Sequence, residues 1–293
     1  MAKYHYTKVD AFTSEKSLGN PAACIYLDES QALSNSEMLS IAKQHKGFVS
    51  EVVYCSKSEH SGYKLTYYSS ECEVDFCGHG TIACMYSLIK STPTLLKKKQ
   101  LTIHTNKKGQ LTVYNEIPEQ DAVFITAPEP TYLETRISSE VIAENLGLES
   151  YQLLNQYSID LIDAGLATLI VPVATLADEI NVFPQEQKLK RFCLENELDI
   201  ILIFSTEVED KKNIAHTRVF APKFGYLEDP ATGSGNSAFA YYMLKNGMWK
   251  GNNISIEQGG SNMDFNIVKL ALQNKRILFG GCATNRIIGE YCL

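Results

Sequence analysis

The sequence predicts an α+β protein of two similar lobes, each a curved sheet wrapped around one central helix. Three observations carry this expectation. A glycine-rich turn that runs straight into an apolar stretch of helical length occurs twice. Strands and helices follow one mixed order that is repeated after a proline-rich segment. The 293 residues are enough for about two domains. The first turn reads Gly78-His79-Gly80-Thr81-Ile82-Ala83-Cys84-Met85-Tyr86, and the second Gly233-Ser234-Gly235-Asn236-Ser237-Ala238-Phe239-Ala240-Tyr241. Their glycines, an alanine and a tyrosine fall in register at an offset of 155 residues.

The elements follow in order. Residues 4–12 alternate as a strand, and residues 22–26 read as a buried one. Ser34 and Glu37 form a capping box for a helix to about Lys46, which Gly47 stops. Residues 49–54 and 63–68 are β-rich, and Gly78 opens the first central helix. Residues 101–114 read as a hairpin turning at Lys108-Gly109. Ala127-Pro128-Glu129-Pro130 is the boundary signal, since two prolines interrupt any regular element. A helix from Ser139 and strands at 167–173, 200–204 and 217–220 then lead to the second turn and helix, with further strands at 254–257 and 277–279. The expected lobes are therefore residues 1–124 and 125–280, with the tail 281–293 a candidate addition to the first.

Composition excludes several classes. A formal net charge of −7 offers no concentrated positive field for phosphates, so no nucleic-acid partner is expected. No apolar stretch approaches the roughly 18–20 residues that a spanning helix needs, and the N-terminus lacks a signal-peptide core. A cytoplasmic protein with no membrane partner is expected. The eight cysteines include Cys72, Cys77 and Cys84, whose spacing matches no paired zinc pattern, so no metal is expected. Cys24, Cys55, Cys193, Cys282 and Cys292 are expected to be buried free thiols. Cys77 stands apart because it directly precedes a glycine turn.

The turns carry the chemistry. A glycine turn opening a helix presents backbone N–H groups and the positive end of the helix dipole to an anion. Two such ends facing one cleft could hold a carboxylate-bearing ligand. Glu51 follows a helix and a glycine and opens the apolar run Val52-Val53-Tyr54. A carboxylate there is expected to be partly desolvated, which raises its pKa towards values useful for moving a proton.

Several stretches together resemble the PhzF-like family, named for a phenazine-biosynthesis isomerase, and more distantly the diaminopimelate epimerase and proline racemase fold. They are Val9-Asp10-Ala11-Phe12-Thr13 with Gly19-Asn20-Pro21-Ala22-Ala23, Ser50-Glu51, and Glu73-Val74-Asp75-Phe76-Cys77-Gly78-His79-Gly80-Thr81. The second half adds Gly165-Leu166, Val171-Pro172-Val173, Phe220-Ala221-Pro222 and Glu228-Asp229-Pro230-Ala231-Thr232-Gly233-Ser234. The resemblance implies a diaminopimelate epimerase-like fold of two lobes with barrel-like mixed or antiparallel sheets, no cofactor, and a homodimer. It implies that Glu51 is an acid/base that takes a proton from one carbon of a small carboxylate-bearing substrate and returns it to another.

The remaining roles follow from residue type and that resemblance together. His79 is placed to hydrogen-bond the ligand or orient the base. Asp229, rather than the adjacent Glu228, is expected to meet a substrate amino or hydroxyl group, or to cap the second helix. Gly78, Gly80, Thr232, Gly233 and Ser234 are the expected anion donors, and Asn20 shapes the rim. Two alternatives stand beside this reading. Related racemases use a facing pair of cysteines, and Cys77 matches the first of them, but the second turn contains no cysteine. The same scaffold can also serve as a non-catalytic small-ligand binder. The sequence departs from the family pattern at Lys46-Gly47-Phe48-Val49 and after Glu257-Gln258-Gly259-Gly260, regions expected to line the pocket.

Overall fold

A computed structural model describes residues 2–260 and 262–293. The chain divides into two compact units, one of Met1–Thr126 with Gly280–Leu293 and one of Ala127–Phe279.

In the first unit the strand Lys3–Ala11 lies antiparallel to both Ala283–Cys292 and Asn20–Leu27. From Asn20–Leu27 the sheet continues parallel to Glu51–Lys57, antiparallel to Tyr63–Ser69, parallel to Gln100–Thr105, and antiparallel to Gly109–Asn115. The strand Val123–Thr126 closes the series beside Gly109–Asn115. The helix Gly78–Ser91 touches strands from both ends of this order, including Ala283–Cys292 and Val123–Thr126. A sheet that meets one helix at both its ends must curl around it. Nine of the helix's residues cannot face water, since Gly80 to Ser87 and Ile89 are buried, and Cys77, the buried N-cap, precedes them. On the sheet's outer face the helix Asn35–Gln44 sets Met38, Ile41 and Ala42 against Tyr4, Ile25, Val52 and Tyr54. The sheet is thus covered on both sides where Asn20–Leu27 and Glu51–Lys57 run, and these two strands are buried along most of their length.

The second unit repeats the pairing series. Asp160–Asp163 is antiparallel to Ala167–Pro172, which runs parallel to Ile200–Ser205; that strand is antiparallel to His216–Phe220. His216–Phe220 is parallel to Ile254–Gln258, which is antiparallel to Asn266–Gln273. The helix Gly233–Lys245 packs on Asp160–Asp163, Ala167–Pro172, Ile200–Ser205 and Asn266–Gln273. Outside lie the helices Ser139–Leu146 and Glu186–Glu195, whose Ile142, Leu146, Leu189 and Phe192 join Leu169, Val171 and Ile203 in the core. The short strands Glu73–Val74 and Glu228–Asp229 precede the two central helices at the same offset as the glycines.

Both central helices begin at the glycines that the duplicated turn pointed to, Gly78 and Gly233. The helix Asn35–Gln44 carries the expected capping box, and the hairpin of Gln100–Thr105 and Gly109–Asn115 turns before Gly109. The sequence did not signal the helix Glu186–Glu195, in which only Leu189, Phe192 and Cys193 are buried among charged neighbours. All eight cysteines are free, but Cys282 is half-buried and Cys292 exposed, because the strand Ala283–Cys292 is open to solvent along most of its length. No helix among the described residues is long and apolar enough to cross a membrane.

One ionisable pair lies fully inside the second unit. His216 Nδ1 is 3.1 Å from Glu179 Oε2, with neither side chain exposed. Burial pushes His216 down to about 4 and holds the Glu179 carboxyl well above its ordinary range. Unfolded, the proton sits on the histidine; folded, it sits on the carboxyl. The carboxyl gains in the fold an affinity for protons that the buried imidazole loses, so the two shifts oppose each other in their effect on the pH dependence of stability. In Glu179→Gln the carboxyl no longer takes that proton, and His216 alone resists it. The unfolded state then binds one proton more than the folded state, so stability falls as pH falls below about 6.5, by about 1.4 kcal/mol per unit. Denaturant unfolding should show the variant losing about 2 kcal/mol from pH 7 to pH 5, with the gap to wild type widening as pH falls. A gap that does not change with pH contradicts the assignment.

Candidate functional site

The first glycine turn is capped by a thiol. Cys77 is the N-cap of the helix Gly78–Ser91, and its Sγ accepts a hydrogen bond from the Gly80 amide at 3.2 Å. Its carbonyl accepts from the Thr81 amide at 3.0 Å and the Thr81 hydroxyl at 2.7 Å. The sulfur does here what a serine or aspartate oxygen does at most helix starts. Gly80 has to be glycine, because a Cβ would lie 2.8 Å from Val53 Cγ2 and 2.9 Å from Cys77 Sγ. With its amide held by Cys77, Gly80 serves close packing, which narrows this turn's candidate anion donors to the amides of Gly78 and His79.

The sheet brings Glu51 to the same place. Glu51 opens the strand Glu51–Lys57 and pairs in parallel register with Ala22, so Asn20-Pro21-Ala22 and Glu51 lie at one end of adjacent strands. Glu51 Oε2 is 3.3 Å from His79 Nε2 and 3.8 Å from Cys77 Sγ, and that sulfur is 3.5 Å from His79 Nδ1. The His79 ring also donates to the Pro21 carbonyl. Burial pushes His79 down to about 4, against the opposing pull of that carbonyl, so the ring is neutral at neutral pH. A neutral imidazole has one N–H and one lone pair, and can orient a carboxyl without competing for its charge. The Glu51 side chain is 18% exposed, enough to meet a ligand while most of its surface is shielded. Asn20 is buried at the start of its strand.

In the second unit the two adjacent acids divide their roles. Arg218, almost fully buried, holds Glu228 through Nε to Oε1 at 2.9 Å and Nη2 to Oε2 at 2.8 Å. Its Nη1 donates to the carbonyls of Glu179, Ile180 and Val182. Asp229 alternates away from Glu228 along the strand. Its Oδ1 accepts from the Ala231 amide at 3.4 Å, closing a local turn. Asp229 is not the helix cap; that position belongs to Thr232, which makes no side-chain cap bond of its own.

Gln258 takes over that task. Fully buried, its Oε1 accepts from the Thr232 amide at 3.0 Å and the Asn236 side-chain amide at 2.7 Å. Its Nε2 donates to the Asp229 carbonyl at 2.9 Å and to the Thr232 hydroxyl at 3.2 Å. Gly233 has no room for a side chain, because a Cβ would fall 2.2 Å from the Phe279 ring. The Thr232 amide is held by Gln258, so the candidate donors of this turn are the amides of Gly233 and Ser234 and the hydroxyls of Thr232 and Ser234. Gln258 lies just before a segment expected to line the pocket, and its role as a brace was not legible. An uncharged amide at a strand end is the signal, and its partner Thr232 is 26 residues away.

Replacing Gln258 with leucine leaves several buried polar groups of the turn without partners. Each costs about 1–3 kcal/mol, so Gln258→Leu should lower unfolding free energy by at least about 2 kcal/mol. Denaturant titration measures it, and a loss below about 0.5 kcal/mol would show that the brace is dispensable.

A family profile described as Phenazine biosynthesis-like protein (PhzC-PhzF) matches residues 9–289. An uncharacterized isomerase of Clostridium acetobutylicum is 26% identical over 246 residues, 83% of this chain and 80% of that protein. An uncharacterized isomerase of Bacillus subtilis is 28% identical over 263 residues, covering 88% and 87%. The crystal structure of a PhzF-family phenazine biosynthesis protein from Bacillus anthracis superposes with a TM-score of 0.86 at 26% identity, over 100% of both chains. A probable proline racemase from Agrobacterium radiobacter, at 11% identity and a TM-score of 0.62, shares the fold over 99% of this chain and 93% of that one.

Proposed function

The chain belongs to the phenazine biosynthesis-like protein family and is an isomerase, and on that premise we propose that Glu51 is its single acid/base. Glu51 takes a proton from one carbon of a small carboxylate-bearing substrate, and the electron pair left behind shifts along the substrate. Glu51 then returns the proton to a second carbon, so the double bond moves and the carboxylate is regenerated. The step involves no net oxidation and needs no redox partner.

The observation that carries this reading is the 3.3 Å approach of Glu51 Oε2 to a neutral, buried His79 ring, beside the N-terminus of the helix Gly78–Ser91. His79 orients the carboxyl. Gly78, Gly233, Ser234 and Thr232 are assigned to the substrate's anionic group on the duplicated sequence pattern, and Asp229 to a polar substituent on the resemblance. Asn20 shapes the rim through the strand start it shares with Pro21. By the same resemblance the working form is a homodimer.

The cysteine mechanism has less support. A two-thiol exchange needs a cysteine at both turns, and the residue in register with Cys77 is Thr232. Cys77 is moreover the cap that closes its own turn.

Glu51→Gln keeps the shape and removes the proton carrier, so turnover should fall by about 10²–10⁴ while ligand binding persists. Cys77→Ala should stay within about tenfold of wild type, a loss no larger than a disturbed helix cap explains. Steady-state assays on a panel of small unsaturated carboxylates, with calorimetric binding of the best of them, check both. An inactive Cys77→Ala beside an active Glu51→Gln would hand the chemistry to the thiol.

A further inference from the structure

Glu51, Cys77 and His79 bring together one carboxylate oxygen, one thiol sulfur and one imidazole nitrogen, all within 4.8 Å of one another. The individual separations say more than the cluster does. Sγ to Oε2 is 3.8 Å, Sγ to Nε2 is 3.8 Å, and Nε2 to Oε2 is 3.3 Å. A zinc ion with bonds of about 2.0–2.3 Å to O, N and S in tetrahedral array sets those donors about 3.3–3.6 Å apart. The three side chains already form one face of that tetrahedron, to within about 0.3 Å on each edge.

We propose that these three side chains bind a divalent cation of the zinc type, with the fourth position left for water or a ligand carboxylate. The surroundings match what such ligands keep around them. The Gly80 amide already donates to the sulfur, and the His79 ring already meets a backbone carbonyl, that of Pro21. His79 and Glu51 retain 13% and 18% of their side-chain exposure, which gives the ion an approach. On binding, the Cys77 thiol gives its proton to solvent and the sulfur takes the metal in its place. Spacing along the chain hides this site, because Glu51 comes from a different strand and completes it only in the fold. The ion occupies the oxygen that carries the proton in the proposed reaction, so the metal-bound form is the inhibited form. That consequence rests on the role given to Glu51; the binding does not.

Cobalt(II) is the probe, because a thiolate-to-cobalt charge-transfer band and intense visible bands report a sulfur ligand and tetrahedral geometry directly. The full-length wild type, titrated with cobalt(II) alone, should develop both up to one equivalent, and zinc(II) should displace them. Cys77→Ser keeps a capping hydroxyl for the Gly80 amide, so the turn stays closed while the soft ligand is lost. Changes outside the ligand shell already weaken metal sites about 10–100-fold, so Cys77→Ser and Glu51→Gln should each weaken binding at least tenfold. Cys72→Ser, at an exposed cysteine outside the cluster, should leave the titration unchanged. Circular dichroism confirms that each variant is folded. The proposal is overturned if the wild type shows no charge-transfer band at one equivalent, or if the band persists in Cys77→Ser. Because the readout is spectroscopic, an error in the proton-carrier assignment leaves it unmoved.

Discussion

A helix enclosed by its own sheet has to settle its first-turn N–H groups locally, and much of this protein follows from that constraint. The helix Gly78–Ser91 is buried along most of its length, so its unpaired amides cannot simply turn to water. Cys77 satisfies one of them through sulfur, and the sheet register delivers Glu51 and Pro21 to the others' neighbourhood. The second unit meets the same demand differently. Thr232 makes no cap bond with its side chain, and Gln258 reaches in from another strand to hold the turn. Two solutions to one backbone problem give two polar helix starts of different character.

That difference decides what each turn is fit for. The first holds a carboxyl, a thiol and an imidazole in mutual contact, a set able to move a proton or bind a soft cation. The second is braced by neutral amide hydrogen bonds and by the Arg218–Glu228 pair, with no thiol in the position that matches Cys77. Its character is that of a binding surface braced by neutral hydrogen bonds.

Much of this was legible in the sequence where the causes are local. Gly78 and Gly233 mark helix starts because a polar-glycine turn before an apolar run is a short-range signal, and Ser34 with Glu37 announces its helix for the same reason. Glu51 could be singled out by the apolar strand it opens and by the family pattern. Contacts made by pairing were not legible. Gln258 meets Thr232 only through strand order, and Arg218 reaches Glu228 across the pairing of Phe220 with Glu228. The capping role of Cys77 depends on a rotamer and on the missing Cβ of Gly80, neither of which a spacing rule encodes. The helix Glu186–Glu195 was hidden because three apolar residues among charges make a narrow stripe.

The central claim is that one carboxyl, Glu51, carries the proton from carbon to carbon. Following the reaction by proton and deuterium NMR in heavy water tests it most directly. If a single shielded carboxyl does the work, wild type should place deuterium at the newly protonated carbon, or carry the substrate's own hydrogen there, and Glu51→Gln should do neither. Isotope transfer that survives in Glu51→Gln and disappears in Cys77→Ala would contradict the account.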